Sequence, residues 1–206
     1  SGSIMSKSEG LAVASLDLFL KGAFHSQKRI GADSEGLKRF TREQLEECFQ
    51  VTGANPLLGV DGRVQLLNTL GKAFEGSRPG VIVDEWIAKA QNRTLKASTI
   101  LNTILHKLGP IWPGRIVMNG TNMGDMWDYH GTYVPFHKLS QWMSYSLMEP
   151  MMEYGIQITD LDEMTGLPEY RNGGLLLDKH LIELRDPKDA SKEHSPDSAL
   201  IVEWRA

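Results

Sequence analysis

The run SEGLAVASLDLFL, Ser8 to Leu20, is apolar on nearly every side at helical length, and so predicts a buried helix. Thr41-Arg42-Glu43-Gln44 predicts a capping box opening a helix that carries Leu45, Cys48 and Phe49 on one face. After the turn at Asn55-Pro56, GVDGRVQLLNTLGKAF continues as a helix with Val64, Leu67, Leu70 and Phe74 on one side. Ser77-Arg78-Pro79-Gly80 is a loop leading to a helix from about Val83 to Ala90, and Thr94 reads as the cap of a longer one. Ala97, Ile100, Leu101, Ile104, Leu105 and Leu108 give that longer helix a periodic face, ended by Gly109-Pro110.

From Pro110 to Pro135 the periodicity lapses, and this stretch reads as ordered loop with at most one short helix. A two-faced helix follows, Phe136 to Tyr154. Leu139, Met143, Leu147 and Met151 form its apolar stripe, His137, Gln141, Tyr145 and Glu149 its polar one, and Pro150 predicts a kink or restart. LLLDKHLIELR, after Gly173-Gly174, predicts a β-hairpin turning near Asp178 to His180. The charged segment Asp186 to His194 is a surface loop. Ser195-Pro196-Asp197 then has the residues of a helix start, and the apolar run after it stops at Ala206.

The expected fold is mainly α: a multi-helix orthogonal bundle with a long ordered loop and one small β-hairpin. It is expected as a single domain, 1–206, belonging to a longer chain, since the last helix is cut short and Ser1 is not an initiator methionine. Within it, 8–108 would be helical scaffold, 109–185 the site-bearing loop, helix and hairpin, and 195–206 the start of the truncated helix.

Composition narrows the partners. Charged residues are 23% and apolar residues 41% of the 206, with no apolar run of membrane-spanning length, which makes cytoplasm the expected location. The net charge of -4 and the absence of a basic stripe argue against nucleic acid. The single cysteine, Cys48, lacks a partner for a disulfide and reads as a small buried residue.

All five tyrosines, three of the five tryptophans and eight of the nine methionines lie between Gly109 and Gly174. Core packing alone does not call for that mixture with Arg, His, Asp and Glu, so a small-molecule site is expected there. No phosphate loop, dinucleotide glycine fingerprint, nucleophile elbow or paired-histidine metal motif is present. Asp125 and Asp128 flank Trp127 in a glycine-rich loop, where a carboxylate serves either as acid–base group or as a cap for nearby amides. Glu169-Tyr170-Arg171-Asn172 places an acid, an aromatic ring and a cation before two glycines that let a ligand approach the backbone; a Glu–Arg pair fixing the hairpin is the alternative. The stripe His137, Gln141, Tyr145, Glu149 either lines a cleft, with Lys138 beside it, or is a solvated face. Arg115 is an anion ligand or an ion-pair partner. A metal site from Asp125, Asp128 and His130 is a weak alternative, and no metal or cofactor is assigned.

SEGLAVAS, NPLLGVDGR (Asn55 to Arg63), RPG (Arg78 to Gly80), IWPGR (Ile111 to Arg115), GDMWD (Gly124 to Asp128), VPFHKLSQW (Val134 to Trp142), YSLMEP (Tyr145 to Pro150) and TGLPEYRNGG (Thr165 to Gly174) together resemble the family named uracil-catabolism protein 4. The resemblance runs from about Ser8 to Arg205, within a longer member. It implies a place in pyrimidine degradation after ring opening, where a ribosylurea-type intermediate yields urea and a pentose, and so implies N-glycosidic hydrolysis. That chemistry needs a carboxylate, a proton donor for the departing nitrogen and ligands for ribose hydroxyls or phosphate. The assignment is Asp125 or Glu169 as catalytic carboxylate, His137 or Tyr145 as donor, and Arg115, Lys138, Arg171, Gln141, Glu149 and Asn172 as substrate ligands. Trp127 and Tyr170 would exclude water. The expected ligand is nucleoside-like or a ureido sugar, with other pyrimidine-degradation enzymes as candidate protein partners. The alternatives are a non-catalytic binding or assembly module and a ureido or amide hydrolase.

Overall fold

The computed structural model describes residues 7–112, 116–164 and 166–206, with Lys7, Ser8 and Tyr170 described by backbone alone. The chain divides into two compact units, Ser1–Lys89 and Ala90–Ala206. Among the described residues it is mainly helical with three two-stranded sheets, and no helix is long and apolar enough to cross a membrane.

The first unit holds α1 (Lys7–Leu20), α2 (Ser34–Lys38), α3 (Arg42–Cys48), α4 (Val60–Ala73) and α5 (Val81–Lys89). Its core gathers Ala14 and Leu18 of α1, Leu45 of α3 and Val60 of α4 around Phe40 and Phe49. Among the described residues only one stripe of α1 is buried: Val13, Leu16 and Leu20 are each more than half exposed. The expectation of all-round burial is therefore corrected, because neighbours cover α1 along the Ala14–Leu18 line alone. The capping box at Thr41 forms as read, with Gln44 answering the Thr41 backbone N–H at 3.0 Å. Cys48 donates its thiol to the Ala14 carbonyl at 3.2 Å, and burial pushes its pKa up, so it behaves as a packing residue.

In the second unit α6 (Ala97–Leu108) buries Ala97, Ile100, Ile104 and Leu108, the periodic face expected. Thr94 does not cap it. Thr94–Lys96 is β1, paired in parallel with β6 (Gln157–Thr159); a three-residue strand is too short to show its own period. The stretch read as loop contains two hairpins, β2 (Val117–Met118) with β3 (Thr121–Asn122) and β4 (Met126–Tyr129) with β5 (Thr132–Pro135). Each turns on two residues of positive φ, Asn119-Gly120 (51° and 77°) and His130-Gly131 (51° and 82°), the geometry that matches strand twist in tight hairpins.

α7 (Lys138–Glu153) runs through Pro150 as one helix, without the restart expected. Its buried face is Ser140, Gln141, Ser144, Met148 and Met151, which corrects the apolar stripe at Leu139, 53% exposed, and the polar stripe at the buried Gln141, while Met151 is buried and Tyr145 and Glu149 are exposed as expected. Polar residues tolerate burial here because they bond locally: Gln141 Nε2 donates to the Phe136 carbonyl and Ser144 Oγ to the Ser140 carbonyl, both at 2.8 Å. The predicted hairpin after Gly174 does not form: its first four residues end α8 (Tyr170–Asp178), residues 179–185 are turn and irregular chain, and the start of α8 is capped by Glu169 accepting from the Arg171 N–H at 3.4 Å. α9 (Ala199–Arg205) starts after Ser198, and the Ser195-Pro196-Asp197 signal forms the turn before it, closed by Ser198 N–H donating to the Ser195 carbonyl at 3.0 Å.

Gly173 faces the Trp204 indole of α9, and a Cβ there would meet ring atoms at 2.5 to 2.8 Å. The close approach this glycine permits is thus by a tryptophan of the same unit. Gly173→Ala is expected to destabilise the unit by about 1–2 kcal/mol, overpacking outweighing the gain in helix propensity. Chemical denaturation measures it; an unchanged or raised midpoint would show that Trp204 yields freely.

Candidate functional site

Asp125 is the hub of the second unit's polar residues. It follows Gly124 just before β4, and its backbone carbonyl accepts from Phe136 N–H at 2.9 Å and His137 N–H at 3.2 Å, tying the loop to the start of α7. Its Oδ1 accepts the Trp127 indole N–H at 2.6 Å and its Oδ2 the Lys138 backbone N–H at 3.0 Å. The same Oδ2 stands 3.4 Å from the Arg205 guanidinium. Asp125 therefore caps α7 from a distant loop. Arg205, brought in by α9, lies over the rings of Phe136 (4.1 Å) and Trp127 (5.2 Å), and its side chain is only 5% exposed. Trp127, Phe136 and Val202 close this cluster with apolar contacts.

The cluster forms one wall of a cavity of about 930 Å³, to which the end of α6 and the β2–β3 hairpin also contribute. Asp125, Trp127, His137, Lys138, Ser140 and Arg205 all line it. His137 sits at the helix entry with φ 46°, a left-handed conformation that this branch of the chain holds through the Asp125 carbonyl. Among the described residues its ring nitrogens meet no hydrogen-bond partner. Burial lowers its pKa, and the Asp125 carboxylate opposes that shift more weakly. Lys138 Nζ pairs with Glu169 Oε2 at 2.5 Å, and this bond, with the Arg171 amide, holds the Glu169 carboxyl below its ordinary range.

Of the residues expected at a site, the fold brings Asp125, Trp127, His137 and Lys138 to the cavity and links Glu169 to it through Lys138. Gln141 is buried and does not line it. Tyr145 and Glu149 lie farther along α7 on exposed positions, and Arg171 and Asn172 are exposed on α8; none of them lines the cavity. Tyr170 is placed by its backbone at the start of α8, and Arg115 lies outside the described residues. Asp128 accepts from Gly131 N–H at 3.5 Å in the β4–β5 turn, where His130 stacks edge-on against Tyr129. Among the described residues no group of three His, Cys, Asp or Glu is arranged to hold a metal ion.

Arg205, Ser140 and Asn122 carry no signal in the sequence pattern that marks them for this cavity. Asn122 donates to the Trp112 carbonyl at 3.0 Å and accepts from Gly124 N–H at 2.8 Å, shaping the loop that carries Asp125. Arg205 lies eighty positions from its carboxylate partner, and no local pattern announces such a pair.

These features define a mainly α protein whose second unit carries a ligand-sized cavity at a helix N-terminus. The chain belongs to the family described as "Protein of unknown function (DUF1688)", which it matches over residues 1–206. It is 41% identical over 207 residues to Protein urg3 of Schizosaccharomyces pombe, covering 97% of this chain and 52% of that protein. It is 35% identical over 243 residues to Uracil catabolism protein 4 of Lachancea kluyveri, covering 97% of this chain and 55% of that protein. The chain thus spans about half the length of the curated relatives it matches. No solved structure matches it.

Proposed function

We propose that this chain takes part in uracil catabolism and contributes a hydrolytic site that cleaves the N-glycosidic bond of a ribosylurea-type intermediate. The names of the relatives support the pathway. The observation that carries the reaction is His137: an imidazole on the cavity wall, unengaged among the described residues, its pKa lowered by burial, in a cavity that Lys138 also lines. A neutral imidazole suits general-base work near neutral pH. Water adds its oxygen to the anomeric carbon as the C–N bond breaks, and the bond's electron pair leaves with the urea nitrogen. His137 takes the proton from water and returns it to that nitrogen, so the products are urea and the pentose.

Asp125 lines the cavity and offers negative charge to an oxocarbenium-like transition state, while its hydrogen bonds assign it a fixed orientation. Glu169 acts through Lys138, setting the position of the ammonium. Those same occupied oxygens of Asp125 favour a second reading, a non-catalytic module that binds the intermediate for a partner enzyme. Incubating the full-length protein alone with ribosylurea separates the readings. Urea appears if the hydrolytic reading holds, no product forms if the chain only binds, and ammonia as first product indicates ureido or amide hydrolysis instead.

A further inference from the structure

The first turn of α7 holds a set of donors that this chemistry leaves unused. Lys138 N–H is taken by Asp125, and the next helical bond, Gln141 N–H to the His137 carbonyl at 2.9 Å, begins only one turn later. Between them, the Leu139 and Ser140 N–H groups meet no acceptor among the described residues. The Ser140 side chain adds an independent observation. The residue is 4% exposed, it lines the cavity, and among the described residues no donor or acceptor meets its hydroxyl. The rest of the residue is buried while the hydroxyl oxygen stays open to the cavity, so it is the part of the side chain that a ligand atom can reach.

We propose that the α7 N-terminus, with Leu139 N–H, Ser140 N–H, Ser140 Oγ and Lys138 Nζ, is a phosphoryl-binding site within the cavity, so that the substrate carries a phosphate monoester. The proposal rests on the reading above for the identity of the sugar, and on α7 itself for the phosphate. A helix of this length directs its positive end and two free amides at one point, the arrangement that binds phosphate oxygens elsewhere. The neighbouring carboxylates do not cancel it. Asp125 is matched by Arg205, and Glu169 by Lys138, whose ammonium has further protons for a phosphate oxygen. Inorganic phosphate and a sugar phosphate share this chemistry, and both serve as probes.

Calorimetric titration of the full-length protein with ribose 5-phosphate, ribose and inorganic phosphate tests the site. Ribose 5-phosphate is expected to bind at least about tenfold more tightly than ribose, with inorganic phosphate competing for it. Ser140→Ala is expected to weaken ribose 5-phosphate by about tenfold at an unchanged melting temperature. Lys138→Met, a change at a partly exposed side chain, gives a second loss that does not depend on core packing. Equal binding of ribose and ribose 5-phosphate, absence of competition by phosphate, or full affinity in both variants would overturn the proposal. Phosphate-dependent binding without urea release removes the hydrolytic reading and leaves this site standing. Equal urea release from ribosylurea and its 5-phosphate removes the site and leaves the hydrolytic reading.

Discussion

Asp125→Ala is expected to lower the stability of the Ala90–Ala206 unit by about 3 kcal/mol, a large fraction of what a unit of this size has in reserve. Three interactions end together. The Arg205 guanidinium, held in an almost fully buried position, loses its carboxylate; breaking such pairs costs about 3–5 kcal/mol when both partners are buried, and less here because Asp125 is 28% exposed and the contact is 3.4 Å. Trp127 loses the acceptor of its 2.6 Å indole bond, worth on the order of 1 kcal/mol. α7 loses its first-turn cap, worth about 1 kcal/mol. The sum exceeds 3 kcal/mol before discounting, since the three terms share one side chain and are not additive. Asp125→Asn keeps an acceptor for one of the two N–H donors and should fall between wild type and alanine. Urea denaturation followed by tryptophan fluorescence measures both variants. A loss below about 1 kcal/mol for alanine would mean that the carboxylate does not hold this wall together.

His137→Gln is expected to reduce kcat for urea release by about 10²- to 10⁴-fold with little change in KM, the range associated with losing a general acid–base group. Glutamine keeps a polar side chain at the helix entry and cannot shuttle a proton. The pH dependence supplies a separate readout. Burial lowers the folded-state pKa below the ordinary 6.5, so the neutral base persists to lower pH than a solvated histidine would allow. The acidic limb of the kcat profile should therefore fall below pH 6.5 and disappear in the variant. Stability follows the same sign. The unfolded chain takes up this proton first as the pH falls, so the contribution of neutral His137 is present above 6.5 and is lost below it, down through the folded pKa. An NMR titration of the His137 ring protons locates that pKa directly. A value above 6.5, or a variant with an unaltered acidic limb, would remove His137 from the chemistry.

Periodicity made the helices legible where a helix buries an apolar stripe, as in α6, and where a local cap announces itself, as at Thr41. It failed on α7, where small and locally bonded polar side chains choose the buried face while Leu139 and Trp142 remain outside. Asn119-Gly120 carried a hairpin signal in its residue types that a search for longer periods misses. LLLDKHLIELR offered an equally short apolar run, and its first four residues instead finish a helix that is capped at Glu169 and packs Gly173 on Trp204. Of the candidate site, the grouping of Asp125, Trp127, His137 and Lys138 was legible because they crowd into one aromatic loop and helix start, and all four line the cavity. Arg205 and Ser140 were not, since one depends on a distant pairing and the other on which face of α7 is buried.

The parallel pairing of residues 94–96 with 157–159 sets a kinetic order on the site. Its two strands flank α6, both hairpins and α7, so the pairing closes a long loop of chain and is entropically deferred until those local elements exist. The hairpins and helices are expected to assemble from near neighbours, with the β1–β6 ladder closing after them. The amides of Ile158 and its ladder neighbours should then gain protection late in refolding, and the cavity wall should become rigid only when that ladder closes.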